Sequence, residues 1–411
     1  MPIQLSAPLQ PSPLLGGAQL NKFAMLSALL DYMQTSSRLQ GANIYQLIRP
    51  HGFGLTAATR ALEQIIEAKH ATLDKAEQLE VLRISFNAGT FNSIHDFRDD
   101  LCAQLQRKLW DYHVNKEPSS YQSPHSYLSC LLNDVSHAGA HPLAVIIDNY
   151  EAPFLSALSL KFSERAEAIS LYLTALNAIK QAGHSVAFCL LTGHIKLALS
   201  SLYAEGLPVV RDISVHPTCD TLLGFTPADF NRAFATQLKR CAPRQGLTRA
   251  ELCEALVNCY GGYVFSDRNI PLLCPSSVIA ALNNEGRLLT YQEQFDYAWL
   301  MRLLQDEEPD LAWLFDKGGQ DPLHLESVNL LNPGRRDIGV LLVQLGFATI
   351  NRITVNEGDD YINWRYRFSA PNEEMRRLLY VLEGKASVQL CLAPINPRVL
   401  DAGFHDFDVQ A

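Results

Sequence analysis

The 411-residue chain lacks several things that would have settled its class at once. It has no pair of cysteines at the two-residue spacing of a zinc ribbon or a redox site. Its nine cysteines are an odd, dispersed set, and the nearest two, Cys253 and Cys259, have no partner pair at metal spacing. Such a set reads as reduced, mostly buried thiols in a reducing compartment. No apolar run reaches the ~18 residues that a membrane span needs. The opening "MPIQLSAPLQPSPLLGGAQ" contains four prolines and no basic segment, so it is not read as a signal peptide. The expected location is cytoplasmic. Positive charge is also short. The net charge of -9 excludes sequence-independent nucleic-acid binding by the whole surface, which needs dense positive charge, but leaves room for a local basic patch. No two histidines fall at i,i+4 on an expected helix, so no metal site of that type is proposed.

What is present is an ordinary globular composition, 47% apolar and 19% charged, long enough for two or three domains. Residues 1–19 read as a flexible, proline-containing lead-in. Helix and strand then alternate. A helix at 23–33 precedes a strand at 42–48, a glycine turn, and a helix at 56–68 with Leu62, Ile65 and Ile66 on one face. A strand at 79–86 follows. The next helix carries Ile94, Phe97, Leu101, Leu105 and Leu109 at spacings of three and four. "PLAVIIDNY" (142–150) is an apolar, β-branched run, as expected of a strand buried on both faces of a parallel sheet. A helix is expected at 164–181, with strands at 185–193 and 207–215. The fold class is therefore α/β: a doubly wound parallel sheet over 20–216, P-loop NTPase-like on the strength of the motifs that follow. A helical lid over 217–330 and a small helix–hairpin–helix, winged-helix-like module over 331–395 follow it, then a tail over 396–411.

Ligands of such sheets lie at the carboxyl ends of the strands. Three stretches stand there. The first is "LIRPHGFGLTAATRAL" (47–62). A phosphate loop uses backbone N–H groups and a helix N-terminus to cradle phosphate, a lysine for charge and a Ser/Thr hydroxyl for magnesium. Gly54 fits the second glycine and Thr56 the hydroxyl, while Gly52 allows a tight turn. Leu55 occupies the lysine position, and only Arg49 or His51 stands nearby as a substitute. The same stretch also reads as a plain glycine turn that binds nothing. The second stretch, "AVIIDNYE", resembles a Walker B strand, with Asp148 placed to hold magnesium. Asn149 follows where a water-orienting glutamate is usual, and an amide is a very poor base. Glu151, two residues on in an extended strand, would share the face of Asn149. Asp148 equally reads as a helix-capping carboxylate. In the third, "LLTGHIK", Thr192 sits at a sensor-like strand end and Lys196 within reach of a phosphate.

The order of these segments resembles the bacterial AAA-ATPase-like proteins that commonly carry a PD-(D/E)XK nuclease-like domain. Their "RPRRFGKS", "LIDEYDKP", "LTGVSRF", "DIS…GFT", "YDGY" and "NP-S-L" segments correspond here to "RPHGFGLT" (49–56), "IIDNYEAP" (146–153), "LTGHIKL" (191–197), "RDISVHPTCDTLLGFT" (211–226), "CYGGYVF" (259–265) and "CPSSVIAAL" (274–282). "LLVQLGFATI" (341–350) and "FSAPNEEMRRLL" (368–379) are similar to later family segments, so the likeness spans roughly residues 40–380. It implies a nucleotide site at Arg49, Gly52, Gly54, Thr56, Asp148, Thr192 and Lys196, with Thr56 and Asp148 holding magnesium if ATP or ADP binds. The departures are Leu55 for lysine, Asn149 for glutamate, Glu151 for aspartate, Lys196 for arginine, Gly261 for the acid of "YDGY" and Cys274 for asparagine. Loss of both ATPase groups with retention of scaffold residues implies a pseudo-ATPase whose role is protein interaction. No acid–acid–lysine cluster is visible in 380–411. Two alternatives stay open: a divergent active ATPase whose charge comes from Lys196, Arg49 or a partner's arginine, and a nucleic-acid-binding module in 335–380 using Arg335, Arg336, Arg376 and Arg377.

Overall fold

The computed structural model describes residues 22–40, 43–70, 78–86, 93–111, 124–138, 141–157, 162–197, 210–292, 297–307, 335–357, 362–384 and 393–397. The expected lead-in, the C-terminal tail and the stretch from 308 to 334 lie essentially outside them.

The chain enters through α1 (Phe23–Gln40) and then lays down β1 (Asn43–Ile48), α2 (Leu55–His70), β2 (Glu80–Ser85), α3 (Ile94–Asp111), α4 (Pro124–Ala138), β3 (Leu143–Asp148), α5 (Ala152–Ala157), α6 (Phe162–Gln181), β4 (Val186–Gly193) and β5 (Val210–Asp212). The strands form one five-stranded sheet in the order β2-β3-β4-β1-β5, parallel at every pairing. Parallel strands need crossovers, and the intervening helices supply them. α1 packs with α2, while α3, α4 and α6 pack with one another. Between these layers every residue of β3 is buried, which is why its sequence is an unbroken apolar run rather than an alternation.

β5 is shorter than the 207–215 expected. Residues 207–209 lie outside the described part, and the strand stops at Asp212, whose carboxylate accepts the Ser214 N–H at 2.9 Å and turns the chain. The structure adds α4 and α5, for which the sequence pattern gave no expectation.

Beyond the sheet come α7 (Pro227–Ala233), α8 (Ala235–Cys241), α9 (Arg249–Tyr260), α10 (Pro275–Asn283) and α11 (Ala298–Glu307). α9 starts at a capping box in which Thr248 accepts the Glu251 N–H and Glu251 accepts the Thr248 N–H. Each bond satisfies a donor that the helix leaves unpaired. α7 to α10 bury a core of their own, including Phe225, Phe230, Phe234, Leu238, Leu256 and Val278. The last part is α12 (Arg335–Gln344), an antiparallel hairpin of β6 (Thr349–Glu357) and β7 (Ile362–Ser369), and α13 (Glu373–Leu382). Its apolar side chains, among them Leu341, Phe347, Phe368 and Leu379, join the core of the parallel sheet. No helix among the described residues is long and apolar enough to cross a membrane.

Candidate functional site at the glycine turn

The turn between β1 and α2 keeps the backbone of a phosphate loop. Gly52 and Gly54 have φ of 83° and 82°, left-handed conformations that cost other residues about 1–2 kcal/mol. α2 starts at Leu55, so the N–H groups of its first turn have no partner within the helix. Thr56 is partly exposed, and its carbonyl accepts the Thr59 hydroxyl at 3.0 Å. Leu55 is 4% exposed and belongs to the hydrophobic core. The lysine position is thus turned to packing.

The outer side of the turn is clamped. The Ser276 N–H donates to the Gly52 carbonyl at 3.1 Å. Gln292 Nε2 donates to the His51 carbonyl at 3.2 Å, and Cys274 Sγ lies 3.8 Å from the same oxygen. Glu374 on α13 accepts the Gln292 backbone N–H at 3.0 Å. Phe53 meets Tyr263 and Phe265 edge-on at 5.0 and 5.2 Å. A Cβ on Gly52 would collide with the Ser276 hydroxyl and stand 2.8 Å from Cys274 Sγ, whereas one on Gly54 would meet nothing within 4 Å. Gly52→Ala is therefore expected to lower stability by about 1–3 kcal/mol through strain and displaced lid contacts. Gly54→Ala should lose only the about 1–2 kcal/mol of left-handed strain. Urea unfolding of the two variants side by side measures the difference, and equal losses would mean that the clamp does not press on the turn.

The strand ends carry the charges. The Asp148 side chain is fully buried and has both oxygens engaged: Oδ1 accepts the Thr192 hydroxyl at 3.0 Å and Oδ2 accepts Arg83 Nη2 at 3.0 Å. Arg83 comes from β2, the neighbour of β3. The sequence reading missed it, although a basic residue inside the apolar run "VLRISF" was a signal, since charges are seldom buried unpaired.

Asn149 and Glu151 depart from expectation. β3 stops at Asp148, and Asn149 takes a φ of 55°, which asparagine tolerates better than most residues. The chain is therefore not extended here, and the expected shared face of the two side chains does not exist. Asn149 Nδ2 donates to the Phe86 carbonyl at 2.9 Å, tying β3 to the end of β2. Glu151 turns back over Gly193 and accepts the His194 N–H at 2.7 Å. Burial, with Asp148 adding to it, raises its carboxyl to about 8. Its Oε2 has no hydrogen-bond partner among the described residues.

The candidate substitutes for the missing lysine are engaged elsewhere. Arg49 is 1% exposed. It donates to the carbonyls of Ile48, Ser214 and Cys219 at 2.7, 2.8 and 2.6 Å and lies 4.3 Å from the centre of the Phe265 ring. Burial pulls it down to about 10. Lys196 is paired with Asp212 at 2.8 Å, and its N–H donates to Gln344. The His51 and His194 rings stand 3.7 Å apart. His194 Nδ1 lies 2.8 Å from the Arg49 carbonyl, which fixes the proton on that nitrogen. Burial, and the neighbouring His194, push His51 down to about 2, and burial also lowers His194.

A magnesium–triphosphate does not fit this set. The carboxylate that would hold the metal is neutralised by Arg83, and the position that would neutralise phosphate is a buried leucine. Two of the four helical arginines of the nucleic-acid alternative are described. Arg377 is buried, pairs with Glu373 at 2.9 Å and donates to the Ala393 carbonyl. Arg376 is partly exposed, and the Arg335 and Arg336 side chains lie outside the described residues.

Residues 36–203 match a family model described as predicted AAA-ATPase. This part of the chain is AAA-ATPase-like. The parallel sheet of the AAA-ATPase-like core, with its glycine turn between β1 and α2, accords with that assignment. No curated protein matches the sequence. Among solved structures, the Aeropyrum pernix ORC1 protein in complex with DNA matches at 14% identity and a TM-score of 0.34, over 88% of this chain and 92% of that one. The Aeropyrum pernix ORC2 protein, in ADPNP–ADP complexes, matches at 15% and 0.38 over the same shares.

Proposed function

We propose that this chain is a degenerate AAA-ATPase-like protein, a pseudo-ATPase whose α/β core serves as a scaffold for interaction with another protein. The observation that carries this reading is the internal ion pair of Asp148 with Arg83, which stands where a working site would place its metal. Leu55 and Asn149 act in the same direction, one withholding charge from phosphate and the other withholding a base from water. Each such loss typically removes several kcal/mol of transition-state stabilisation. The divergent-ATPase alternative loses its two internal candidates, because Lys196 and Arg49 are held by Asp212 and by backbone carbonyls. Only an arginine from a partner would remain to serve it.

Whatever affinity the loop keeps for nucleotide comes from backbone N–H groups and the start of α2, so it is expected not to depend on magnesium. Calorimetric titration with ADP, with and without magnesium, tests this. Equal affinities, or no binding in either, agree with the reading, and a tenfold gain with the metal contradicts it. Steady-state hydrolysis of ATP is expected below about 1 per minute, far under the usual enzymatic range. Faster turnover that disappears in Asp148→Ala would overturn the proposal.

A further inference from the structure

A cavity of about 60 Å³ lies at the carboxyl ends of β1 and β5, where the sheet meets α12 and β6. The core supplies Arg49, Pro50, Lys196, Asp212 and Ser214 to its wall, and α12 and β6 supply Val343 and Ile350. Val264 and Phe265, between α9 and α10, complete it. Most of the lining is apolar, with a few polar groups gathered around Arg49. That is the usual make-up of a small-molecule site.

Arg49 is short of a counter-ion. Its side chain is buried, and at about 10 it is still a cation at neutral pH. Buried charges are normally paired. The acids whose fields reach it are Asp212 and Asp220, and these are bonded to Lys196 and Arg268 instead. The two Nη groups are taken by the carbonyls of Ile48, Ser214 and Cys219. Phe265 lies against the guanidinium. Nε is buried and has no hydrogen-bond partner among the described residues. Ser214 and Phe265, the neighbours that mark the place of the guanidinium, both line the cavity. A fixed cation with an unused donor therefore stands in its wall.

Charge and size narrow the class of ligand. Lys196 and Asp212 cancel each other, at 2.8 Å, which leaves the single positive charge of Arg49. One negative charge neutralises it, and a second would meet Asp212. The apolar wall favours a hydrocarbon body over a phosphate. At about 10–15 Å³ for each water-sized group, the cavity holds roughly four to six of them. We propose that this cavity binds a short-chain monocarboxylic acid, its carboxylate on Arg49 Nε and its hydrocarbon tail against Val264, Val343 and Ile350. Such a ligand touches the sheet and α12 at once, and so fastens the last part of the chain to the core. The site does not rest on the pseudo-ATPase reading. It gives Arg49 a carboxylate in place of the phosphate for which the sequence had marked it.

The test is titration of the full chain with sodium butyrate, against sodium chloride at equal concentration. A Kd of about 0.1–1 mM is expected, within the ceiling that so small a ligand allows. At 10 mM the melting temperature should then rise by at least about 2 °C. Butyramide has the same shape without the charge and should bind at least about tenfold more weakly. Hydrogen exchange should slow in α12 when butyrate is bound. Val343→Phe fills the cavity from α12 and leaves the hydrogen bonds of Arg49 alone. It should abolish the butyrate shift while the circular dichroism spectrum stays that of the parent. The proposal is overturned if butyramide or inorganic phosphate matches butyrate, if a folded Val343→Phe variant binds as tightly as the parent, or if 10 mM butyrate has no effect. Displacement of butyrate by ADP would also overturn it, by making the cavity part of a nucleotide site. ADP titration of Val343→Phe should match the parent, so the two readings stand or fall separately.

Discussion

Replacing Arg83 by leucine should lower the unfolding free energy by about 3–5 kcal/mol, because removing one partner of a buried pair leaves the other charge uncompensated. The Asp148 side chain is fully buried and that of Arg83 is 16% exposed, so water cannot take over the lost contact. Thr192 would remain as a partner of Asp148, but a hydroxyl does not neutralise charge. The double variant Arg83→Leu/Asp148→Leu should recover most of the loss, since apolar residues of similar volume often replace a buried pair at little cost. Urea unfolding, with hydrogen exchange at the β3 amides to localise the effect, measures both. If Arg83→Leu costs under about 1 kcal/mol, the pair is not a structural substitute for metal, and the reading of Asp148 given above falls with it.

The second large effect is on pH dependence, and it belongs to Glu151. Its folded-state value of about 8 lies above the unfolded value of about 4.3. Between these values the folded protein holds a proton that the unfolded chain has released. Stability is therefore fully present at low pH and is lost as pH rises through the window, by about 1.4 kcal/mol per unit. His51, lowered to about 2, and His194, also lowered, act the other way. In the fold they take up protons less readily than the unfolded chain does below about pH 6.5, so their contribution is lost as pH falls below that value. The two trends oppose each other between about 4.3 and 6.5, and above it Glu151 acts alone among the three. From pH 6.5 to 8 its share of the decline should be about 2 kcal/mol. Glu151→Gln keeps the neutral form at every pH and should flatten that limb. An identical fall in parent and variant would assign the slope to another group.

Much of the core was legible in the sequence for reasons that recur in the structure. "LAVIID" announced a strand buried on both faces, and it is one. "GFG" announced a tight turn, and it is made with Gly52 and Gly54 both left-handed. The partners of the charged residues were not legible. That Arg83 faces Asp148 depends on β2 lying beside β3, and strand order is a property of the assembled sheet. That Lys196 meets Asp212 depends on where β5 ends. The turn at Asn149 was half visible, since asparagine is among the residues that enter the left-handed region most readily. Extending the strand through it put Glu151 on a face that it does not have. The clamp from Ser276 and Gln292 had no local signal at all, because those residues bind the turn through its carbonyls, which every sequence possesses.

The clamp has a consequence for how the protein is made. Gln292 and His51 are 241 positions apart, and Cys274 and His51 are 223 apart. At a synthesis rate of about 5–20 residues per second, the turn leaves the ribosome on the order of 10–50 s before Gln292 does. During that interval the nascent sheet can assemble around β1, β3 and β4, but the outer carbonyls of the turn have no lid residues to meet. Contacts of such sequence separation form late and slowly. The glycine turn, the most ligand-like feature of the chain, is thus among the last parts to reach its final shape. A nascent-chain ligand or chaperone would find it open when the finished protein has it clamped.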